Sequence, residues 1–130
     1  MSVASLRLPM SATTGLRGDA SRANPEQLLV VSLSACQALT YLFLAAKQGI
    51  LVAGYEDEAE GHLSVAEGRV RMGRVKLRPR ITLVSGADED KARELIEPAH
   101  RQCLIANSVN TRIEIEATLV VAAAAREAVR

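Results

Sequence analysis

Apolar residues dominate one long uncharged stretch in the first half of the chain, residues 28–46. Asn24, Pro25 and Glu26 stand before it and provide an N-cap, a first-turn proline and a first-turn acid, which together are typical of a helix start. Gly49 supplies the residue that most readily takes the left-handed conformation in which helices end. The pattern therefore predicts a first helix that begins at the Asn-Pro-Glu sequence and ends shortly before Gly49.

Two segments with alternating polarity follow, over residues 54–65 and 74–83, and predict strands. A turn near Glu67 and Gly68 would pair them as a hairpin. One face of the first strand carries Glu56, Glu58, Glu60 and His62, and one face of the second carries Arg74, Lys76, Arg78 and Arg80. If these rows meet across the hairpin, the basic stripe is a set of cross-strand ion pairs rather than a nucleic-acid surface. Pro79 predicts an edge position or a bulge for the second strand.

A second helix and a last strand complete the pattern. Asp88 is an N-cap, and apolar side chains recur at helical spacing over residues 92–104. Pro98 interrupts this helix, so we expect a kink or a restart near Glu97. Residues 112–121 alternate again and predict one strand that points its odd-numbered side chains inward.

The order of these elements is that of an α+β protein. Residues 1–23, rich in Ser, Ala, Gly and Arg, predict an irregular arm, and the Ala-rich residues 122–130 predict a short helix or a frayed end. No βαβ succession suggests a doubly wound sheet. A chain of 130 residues supports one domain, which we expect to span residues 1–130.

Charge and composition disfavour several classes of function. The 16 Lys and Arg residues nearly balance the 15 Asp and Glu residues, which leaves no strong attraction to nucleic acid or anionic lipid. Tyr41, Phe43 and Tyr55 are the only aromatic residues, too few for a base-stacking surface. The first ten residues lack the features of a signal peptide, which predicts a cytoplasmic protein.

The first helix reaches the length of a membrane span, so its polarity has to show whether it lies in a bilayer or in the interior of a protein. It contains Ser, Cys, Gln and Thr residues, and no basic cluster flanks it to set an orientation. These properties favour a helix buried in protein on most of its faces. In so small a chain, we expect a partner subunit to cover part of it.

Cys36 lies within the first helix and Cys103 at the end of the second. In a reducing compartment such residues are either inert members of the core or a redox pair. A zinc site is a third alternative, because His100 shares a helical face with Cys103, and His62 and Cys36 could complete four ligands. Structural zinc sites, however, normally show closely spaced pairs of ligands, and the chain contains no CxxC sequence.

The segments around both cysteines resemble motifs of the OsmC/Ohr family, which includes organic hydroperoxide resistance proteins. Residues 24–29 (NPEQLL) and 32–36 (SLSAC) are similar to the family's first-cysteine signature. Residues 100–103 (HRQC) and 105–108 (IANS) are similar to its second-cysteine motif. The resemblance covers about residues 16–121, with the motifs in the expected order, and it favours a redox pair over inert cysteines.

The resemblance implies a fold and a chemistry. The fold would be OsmC-like, with a long buried central helix and a second helix packed on an antiparallel sheet, in an intertwined homodimer with two sites at the subunit interface. The chemistry would be that of a thiol-dependent peroxidase, in which Cys36 attacks an organic hydroperoxide and Cys103 resolves the product through a disulfide. A dithiol of the lipoyl type would reduce that disulfide. No metal, organic cofactor, nucleic acid or membrane is implied.

The resemblance also assigns an activating pair, and here the chain departs from the family pattern. Glu26 matches the family's active-site glutamate, which holds an arginine from an N-terminal strand beside the cysteine. By this resemblance we expect those N-terminal strands to be shortened, and Arg17 is then the candidate for the missing cation, with Arg22 as the second choice. A chain without such a cation would be a non-catalytic redox sensor or a small-ligand-binding dimer. A purely structural dimer module is the third possibility.

Helix geometry places a condition on this site. Ten residues separate Glu26 from Cys36, which corresponds to about 15 Å along one straight helix. Cys36 is also too far from the start of the helix to benefit from its dipole. We therefore expect Glu26 to approach Cys36 of the partner subunit through antiparallel central helices, or else the helix to break between the two residues.

Overall fold

The computed structural model describes residues 5–123 and has the predicted α+β order. The helices of this part are α1 (Pro25–Lys47), α2 (Glu89–Glu94) and α3 (Ile96–Gln102), and the strands are β1 (Val52–Asp57), β2 (Glu60–Ala66), β3 (Arg69–Leu77), β4 (Pro79–Leu83), β5 (Arg112–Ile115) and β6 (Thr118–Val121). Short 3-10 turns occupy Thr14–Leu16 in the arm and Ala106–Ser108 after α3. The predicted C-terminal helix or frayed end falls almost wholly on residues 124–130, outside the described part.

Local sequence sets both ends of α1, as predicted. The side chain of Asn24 accepts a hydrogen bond from the backbone of Gln27 at 2.9 Å, and the side chain of Gln27 accepts one from the backbone of Asn24 at 3.0 Å. This reciprocal capping box satisfies two donors that a helix start otherwise leaves free. Gly49 has a φ of 72°, the left-handed conformation expected after the last turn.

The predicted hairpin turn is also confirmed. Glu67 and Gly68 connect β2 to β3 with φ values of 53° and 75°. Positive φ at both central positions is the two-residue turn whose twist suits a hairpin, and glycine takes the second position without steric cost.

Each of the three predicted strands is interrupted once, and the three interruptions lie next to one another across the sheet. The pairs Asp57–Pro79 and Glu60–Lys76 fall on either side of the break, yet they belong to one continuous register. The last strand keeps one offset to its neighbour across its own break as well. The sheets β1-β4-β6 and β2-β3-β5 are therefore the two halves of one three-stranded sheet, separated by a bend at residues 58–59, 78 and 116–117.

The expectation of an antiparallel sheet is wrong for the last strand. β5 pairs with β3, and β6 with β4, in parallel, whereas the hairpin pairs are antiparallel. The chain leaves β4, passes through α2 and α3 and then enters the sheet again. A helical crossover of this kind returns the chain in the direction it had before, which gives a parallel pair.

Asp57 stabilises the bend and ties it to α1. Its Oδ1 accepts a hydrogen bond from the backbone N–H of Arg78 at 2.7 Å, and its Oδ2 accepts one from the Ser34 hydroxyl at 2.6 Å. Pro79 follows directly as the first residue of the central strand β4. The expectation of an edge position is thus wrong, and the register shifts of the hairpin lie at Val52–Gly54 and His62–Leu63, away from Pro79. The break instead frees the first strand position, where proline's missing N–H costs nothing.

We expect Asp57→Ala to lower the free energy of unfolding by about 2–3 kcal/mol, because two hydrogen bonds to a charged, half-buried acceptor are lost. Urea unfolding at fixed protein concentration measures this change. Glu58→Ala is the matched control, since the neighbouring side chain is exposed, and we expect a change below about 0.5 kcal/mol. Equal losses in both variants would show that Asp57 does not stabilise the bend.

The basic stripe is paired from both sides. As predicted, Glu60 faces Lys76 across the hairpin and Glu56 faces Arg80, and Arg78 contacts Glu60 at 2.9 Å. The last strand adds acids that the hairpin alone did not predict: Arg74 contacts Glu114 at 3.4 Å and Lys76 contacts Glu116 at 2.8 Å. Three of the four basic residues of the stripe, Arg74, Lys76 and Arg78, are therefore in ion pairs with acids of neighbouring strands.

α1 lies across the bend and packs on both halves of the sheet. Leu33 joins one hydrophobic cluster with Val75 and Leu77, and Tyr41 and Ala45 join the other. Only one side of α1 is buried in this way, and the opposite side exposes Val31, Leu39 and Phe43 by 59–69%. The predicted burial on most faces is therefore not reached within one chain.

The exposed side makes α1 resemble a membrane helix by composition. α1 has 23 residues and is apolar enough to span a bilayer, and 22% of its most apolar window is buried. Core helices of soluble proteins pass the same test of length and composition.

The second predicted helix is indeed divided. Asp88 accepts a hydrogen bond from the backbone of Lys91 and caps α2, and the chain restarts as α3 just before Pro98. Tyr41 donates a hydrogen bond to the carbonyl of Ala92 at 2.8 Å, and Gln37 donates one to the carbonyl of Ile96 at 3.3 Å. These two bonds from α1 fix the position of α2 and α3, and hence of the chain that follows them.

Candidate active site

Cys36 lies on α1, half-buried, at the border between the packed and the exposed side of the helix. It opens into a groove of about 570 Å³. The groove is lined by Ser32, Ala35, Cys36, Leu39, Thr40, Phe43, Gln102 and Leu104. None of these side chains carries a formal charge, so the surroundings of the thiol are apolar with a few neutral polar groups.

Cys103 is the first residue after α3 and is buried, with 1% of its surface exposed. It has extended backbone angles and therefore turns the chain away from the helix axis. Its thiol lies next to the thiol of Cys36, near enough for each to shift the pKa of the other, and both cysteines are reduced. The structure thus brings together the two cysteines that the sequence motifs singled out.

The pKa of Cys36 lies below the ordinary value for a cysteine. Burial acts to raise it, but hydrogen bonds to the sulfur outweigh this effect. The main donor is the backbone N–H of Ile105, followed by the Cys103 thiol and the backbone N–H of Leu104. The Thr40 hydroxyl lowers the pKa least, and its hydrogen bond in the structure goes to the carbonyl oxygen of Cys36. Hydrogen bonds of this kind favour the thiolate, which is the nucleophilic form.

The pKa of Cys103 moves in the opposite direction. Burial raises it most, and the neighbouring Cys36 raises it further, while backbone N–H groups of Ala106 and Ile105 lower it in part. Cys103 therefore keeps its proton and donates it in a hydrogen bond when Cys36 is ionised. Cys36 is therefore the cysteine that loses its proton more readily and Cys103 the one that keeps it, the order of acidity that suits an attacking and a resolving thiol.

Glu26 belongs to a different cavity of about 560 Å³, at the start of α1. α1 is unbroken from Pro25 to Lys47, so the alternative of a helix break between Glu26 and Cys36 is wrong. The second carboxylate oxygen of Glu26 is buried and, among the described residues, has no hydrogen-bond partner. A carboxylate oxygen in this state is costly unless a donor reaches it.

The arginines of the arm do not stand beside Cys36 in this structure. Arg17 is exposed and has a φ of 63°, an unusual backbone conformation for a residue with a side chain. Arg22 contacts Asp19 at 3.6 Å and is exposed as well. In the described part of the chain, the groups that shift the pKa of Cys36 are hydrogen-bond donors and not cations.

The four residues of the zinc alternative are not brought together. His62 lies on β2 and contacts Glu60 at 3.3 Å, whereas Cys36 and Cys103 contact each other. Over residues 5–123, no three His, Cys, Asp or Glu side chains are grouped as metal ligands.

Two features of the site were not predicted from the sequence. The sequence gives no indication that the backbone N–H groups of Leu104 and Ile105 act on Cys36, because every residue except proline carries such a group. The position of Thr40 gives a weak indication, since it lies four residues after Cys36 and hence on the same side of the helix.

Comparison with known proteins identifies relatives of this fold. The model of the family described as OsmC-like protein matches residues 18–118. A structure of an OsmC-like protein of unknown function from Vibrio cholerae is 35% identical, with a TM-score of 0.72, over 77% of this chain and 67% of that one. A comparison with curated proteins finds no match.

Two further solved structures carry a functional name. An organic hydroperoxide resistance protein from Elizabethkingia anophelis is 25% identical, with a TM-score of 0.71, over 90% of this chain and 82% of that one. An organic hydroperoxide resistance protein OsmC from Legionella pneumophila has a TM-score of 0.66 at 21% identity, over 89% of this chain and 82% of that one. At that identity the second likeness concerns the fold alone.

Proposed function

This chain belongs to the OsmC-like protein family, and on that premise we propose that it is a thiol-dependent peroxidase that reduces organic hydroperoxides. Family membership and the similarity to hydroperoxide resistance proteins support a redox protein. The observation that carries the finer proposal is the contact between Cys36 and Cys103, with the pKa of the first lowered and that of the second raised. Cys36 is the peroxidatic cysteine and Cys103 the resolving cysteine.

The proposed cycle has three balanced steps. The Cys36 thiolate attacks the distal oxygen of the hydroperoxide, the O–O bond breaks, and the released alkoxide takes up a proton and leaves as an alcohol. Cys103 then attacks the sulfur of the Cys36 sulfenic acid, and the oxygen leaves as water as the disulfide forms. A dithiol of the lipoyl class reduces this disulfide by two exchange steps and becomes a cyclic disulfide itself.

The surroundings of Cys36 favour an organic substrate over hydrogen peroxide. Leu39, Phe43 and Leu104 line the groove next to the thiol and are each at least 60% exposed in the single chain. An alkyl or aryl group would remove part of this apolar surface from water, which hydrogen peroxide cannot do.

A second copy of the chain completes the site in this proposal. The exposed side of α1 is a continuous apolar face, and two antiparallel copies of the helix would cover each other. Glu26 and Arg17 of one subunit then lie near Cys36 of the other, where the arginine could bind the buried carboxylate oxygen and approach the thiolate. We place this soluble dimer in the cytoplasm, where reduced cysteines and dithiol reductants coexist.

A steady-state assay tests the proposed function. Purified protein is mixed with cumene hydroperoxide and dihydrolipoamide, and the consumption of hydroperoxide is followed with hydrogen peroxide as the competing substrate. We expect catalytic turnover with a preference for cumene hydroperoxide. Absence of turnover, with both cysteines intact and the protein folded, would reject the peroxidase.

A redox sensor is the second candidate function. It is favoured by one observation, that the described residues provide hydrogen-bond donors but no cation beside Cys36. In the same assay a sensor forms the Cys36–Cys103 disulfide once per chain and then stops. Mass spectrometry of the oxidised protein distinguishes this result from an inert pair of cysteines.

The antiparallel arrangement predicts a self-contact at Val31. This residue stands midway between Glu26 and Cys36 and is 59% exposed, so it would lie on the two-fold axis. In a chain that also carries Cys36→Ser and Cys103→Ser, we expect Val31→Cys to form a covalent dimer on mild oxidation. Denaturing gel electrophoresis without reductant measures the yield.

Leu39→Cys in the same background is the matched control. Leu39 is exposed on the same face of α1, but antiparallel packing about Val31 separates its two copies by about 24 Å along the helix axis. We therefore expect little cross-linking there. Equal yields at both positions would contradict the proposed arrangement of the helices.

A further inference from the structure

Thr40 is placed beside Cys36 by the helix that carries both residues. It lies one turn further along α1, and both side chains line the same groove. Its hydroxyl donates a hydrogen bond to the carbonyl oxygen of Cys36 at 2.8 Å. That carbonyl already accepts the helical N–H four residues on, so it does not depend on the threonine hydroxyl for a partner.

The Thr40 hydroxyl can therefore leave this carbonyl for a second acceptor at little cost in free energy. The Cys36 sulfur lines the same groove one helical turn before this hydroxyl and is near enough for the hydroxyl to lower its pKa, and a hydroxyl group rotates freely enough to serve either acceptor. A bond to an ionised acceptor is stronger than one to a carbonyl that is already satisfied. Ionisation of Cys36 would consequently draw the hydroxyl from the carbonyl to the sulfur.

Few other groups near Cys36 can stabilise the negative charge of its thiolate. The groove residues contributed by α1 and by the end of α3 are uncharged, and among residues 5–123 Cys103 is the only other ionisable group in contact with Cys36. Lys47 is held over the ring of Phe43, 5.4 Å from its centre, at the far end of the groove. Within the described residues the thiolate thus depends on hydrogen-bond donors, of which two are backbone N–H groups.

We propose that Thr40 is a catalytic residue whose hydroxyl switches from the Cys36 carbonyl to the Cys36 sulfur and stabilises the thiolate. The hydroxyl keeps its own proton throughout and gives only a hydrogen bond. When the thiolate attacks a hydroperoxide, the same hydroxyl can donate to the oxygen that the sulfur gains. This last step rests on the proposed peroxidase function, whereas the stabilisation of the thiolate does not.

The test compares Thr40→Val with Thr40→Ser in the full chain. Valine keeps the shape of threonine and removes the hydroxyl, and serine keeps the hydroxyl. The rate at which iodoacetamide alkylates Cys36 is measured against pH, with the Cys36 peptide quantified by mass spectrometry. We expect Thr40→Val to raise the pKa of Cys36 by about one unit and to slow alkylation near neutral pH about tenfold. Thr40→Ser should stay within about twofold of the unmodified chain.

Ser32→Ala is the matched control. Ser32 lines the same groove one turn before Cys36, but its hydroxyl donates to the carbonyl of Leu29 at 2.8 Å. We expect this variant to alkylate like the unmodified chain. An unchanged profile for Thr40→Val, or equal slowing by Thr40→Ser, would overturn the proposal, and thermal melting shows that each variant is folded.

Alkylation needs no hydroperoxide, which separates this inference from the proposed function. If Thr40→Val shifts the alkylation profile in a chain that does not turn over hydroperoxide, the peroxidase fails and the role of Thr40 stands. If turnover is present and the alkylation profile is unchanged, only the role of Thr40 fails.

Discussion

Cys36→Ser is expected to abolish hydroperoxide reduction, whereas Cys103→Ser is expected to leave one turnover per site. Serine is not ionised near neutral pH and cannot replace a thiolate nucleophile. The rate of hydroperoxide reduction by Cys36→Ser should therefore fall by about a thousandfold or more. In the second variant Cys36 keeps the backbone N–H groups of Leu104 and Ile105 as donors. It can therefore react once and then remain as a sulfenic acid.

The two outcomes are measured in one experiment. A ferrous-iron assay counts the hydroperoxide consumed per chain, and dimedone labelling with mass spectrometry detects the sulfenic acid on Cys36. Cys103→Ala repeats the second variant without a hydroxyl group and controls for any reaction of the new serine. A burst in Cys36→Ser and none in Cys103→Ser would reverse the assignment of the two cysteines.

Two inactive variants are expected to restore activity when they are mixed. If Glu26 acts on Cys36 of the partner subunit, Glu26→Gln inactivates both sites of its own dimer, and so does Cys36→Ser. A mixed dimer pairs the intact Cys36 of one variant with the intact Glu26 of the other and has one complete site. Random exchange of subunits makes half of the dimers mixed, so activity should recover to about a quarter of the unmodified value.

The recovery of activity requires that the two variants exchange subunits, and the controls test this requirement. Mixing is carried out by joint unfolding and refolding, and turnover of cumene hydroperoxide is measured before and after. A chain that carries both substitutions, mixed with Cys36→Ser in the same way, has no complete site and should remain inactive. Failure to recover, with mixed dimers demonstrated by mass, would place Glu26 within the site of its own subunit, whereas full activity of Glu26→Gln before mixing would place Glu26 outside the site.

Local signals predicted the parts of the fold that neighbouring residues determine. The capping box of Asn24 and Gln27 and the Glu67–Gly68 turn depend on a few adjacent positions, and both were predicted correctly. The restart of the second helix near Pro98 is local for the same reason.

The bend of the sheet could not be predicted, because the alternation of polar and apolar residues continues through it. The pairing register is the same on both sides of Glu58 and Arg78, so no change of pattern marks the break. What fixes it is a contact between distant segments, from Asp57 to Ser34 on α1. Contacts of this kind depend on the assembled fold.

The candidate site shows the same division. The motifs predicted that Cys36 and Cys103 belong together, and their thiols are in contact. Helical spacing also predicted a helix that continues to residue 104, which is wrong, since α3 ends at Gln102 and leaves the Leu104 side chain 75% exposed. Spacing beyond the true end of a helix carries no information about which side chains face the core.

The bent sheet determines how the molecule can come apart. Each of its three chain segments runs through both halves, and α1 spans the two hydrophobic clusters beneath them. Neither half can open without fraying the same three segments in the other. The two clusters should therefore lose their protection against hydrogen exchange together, as a single cooperative unit.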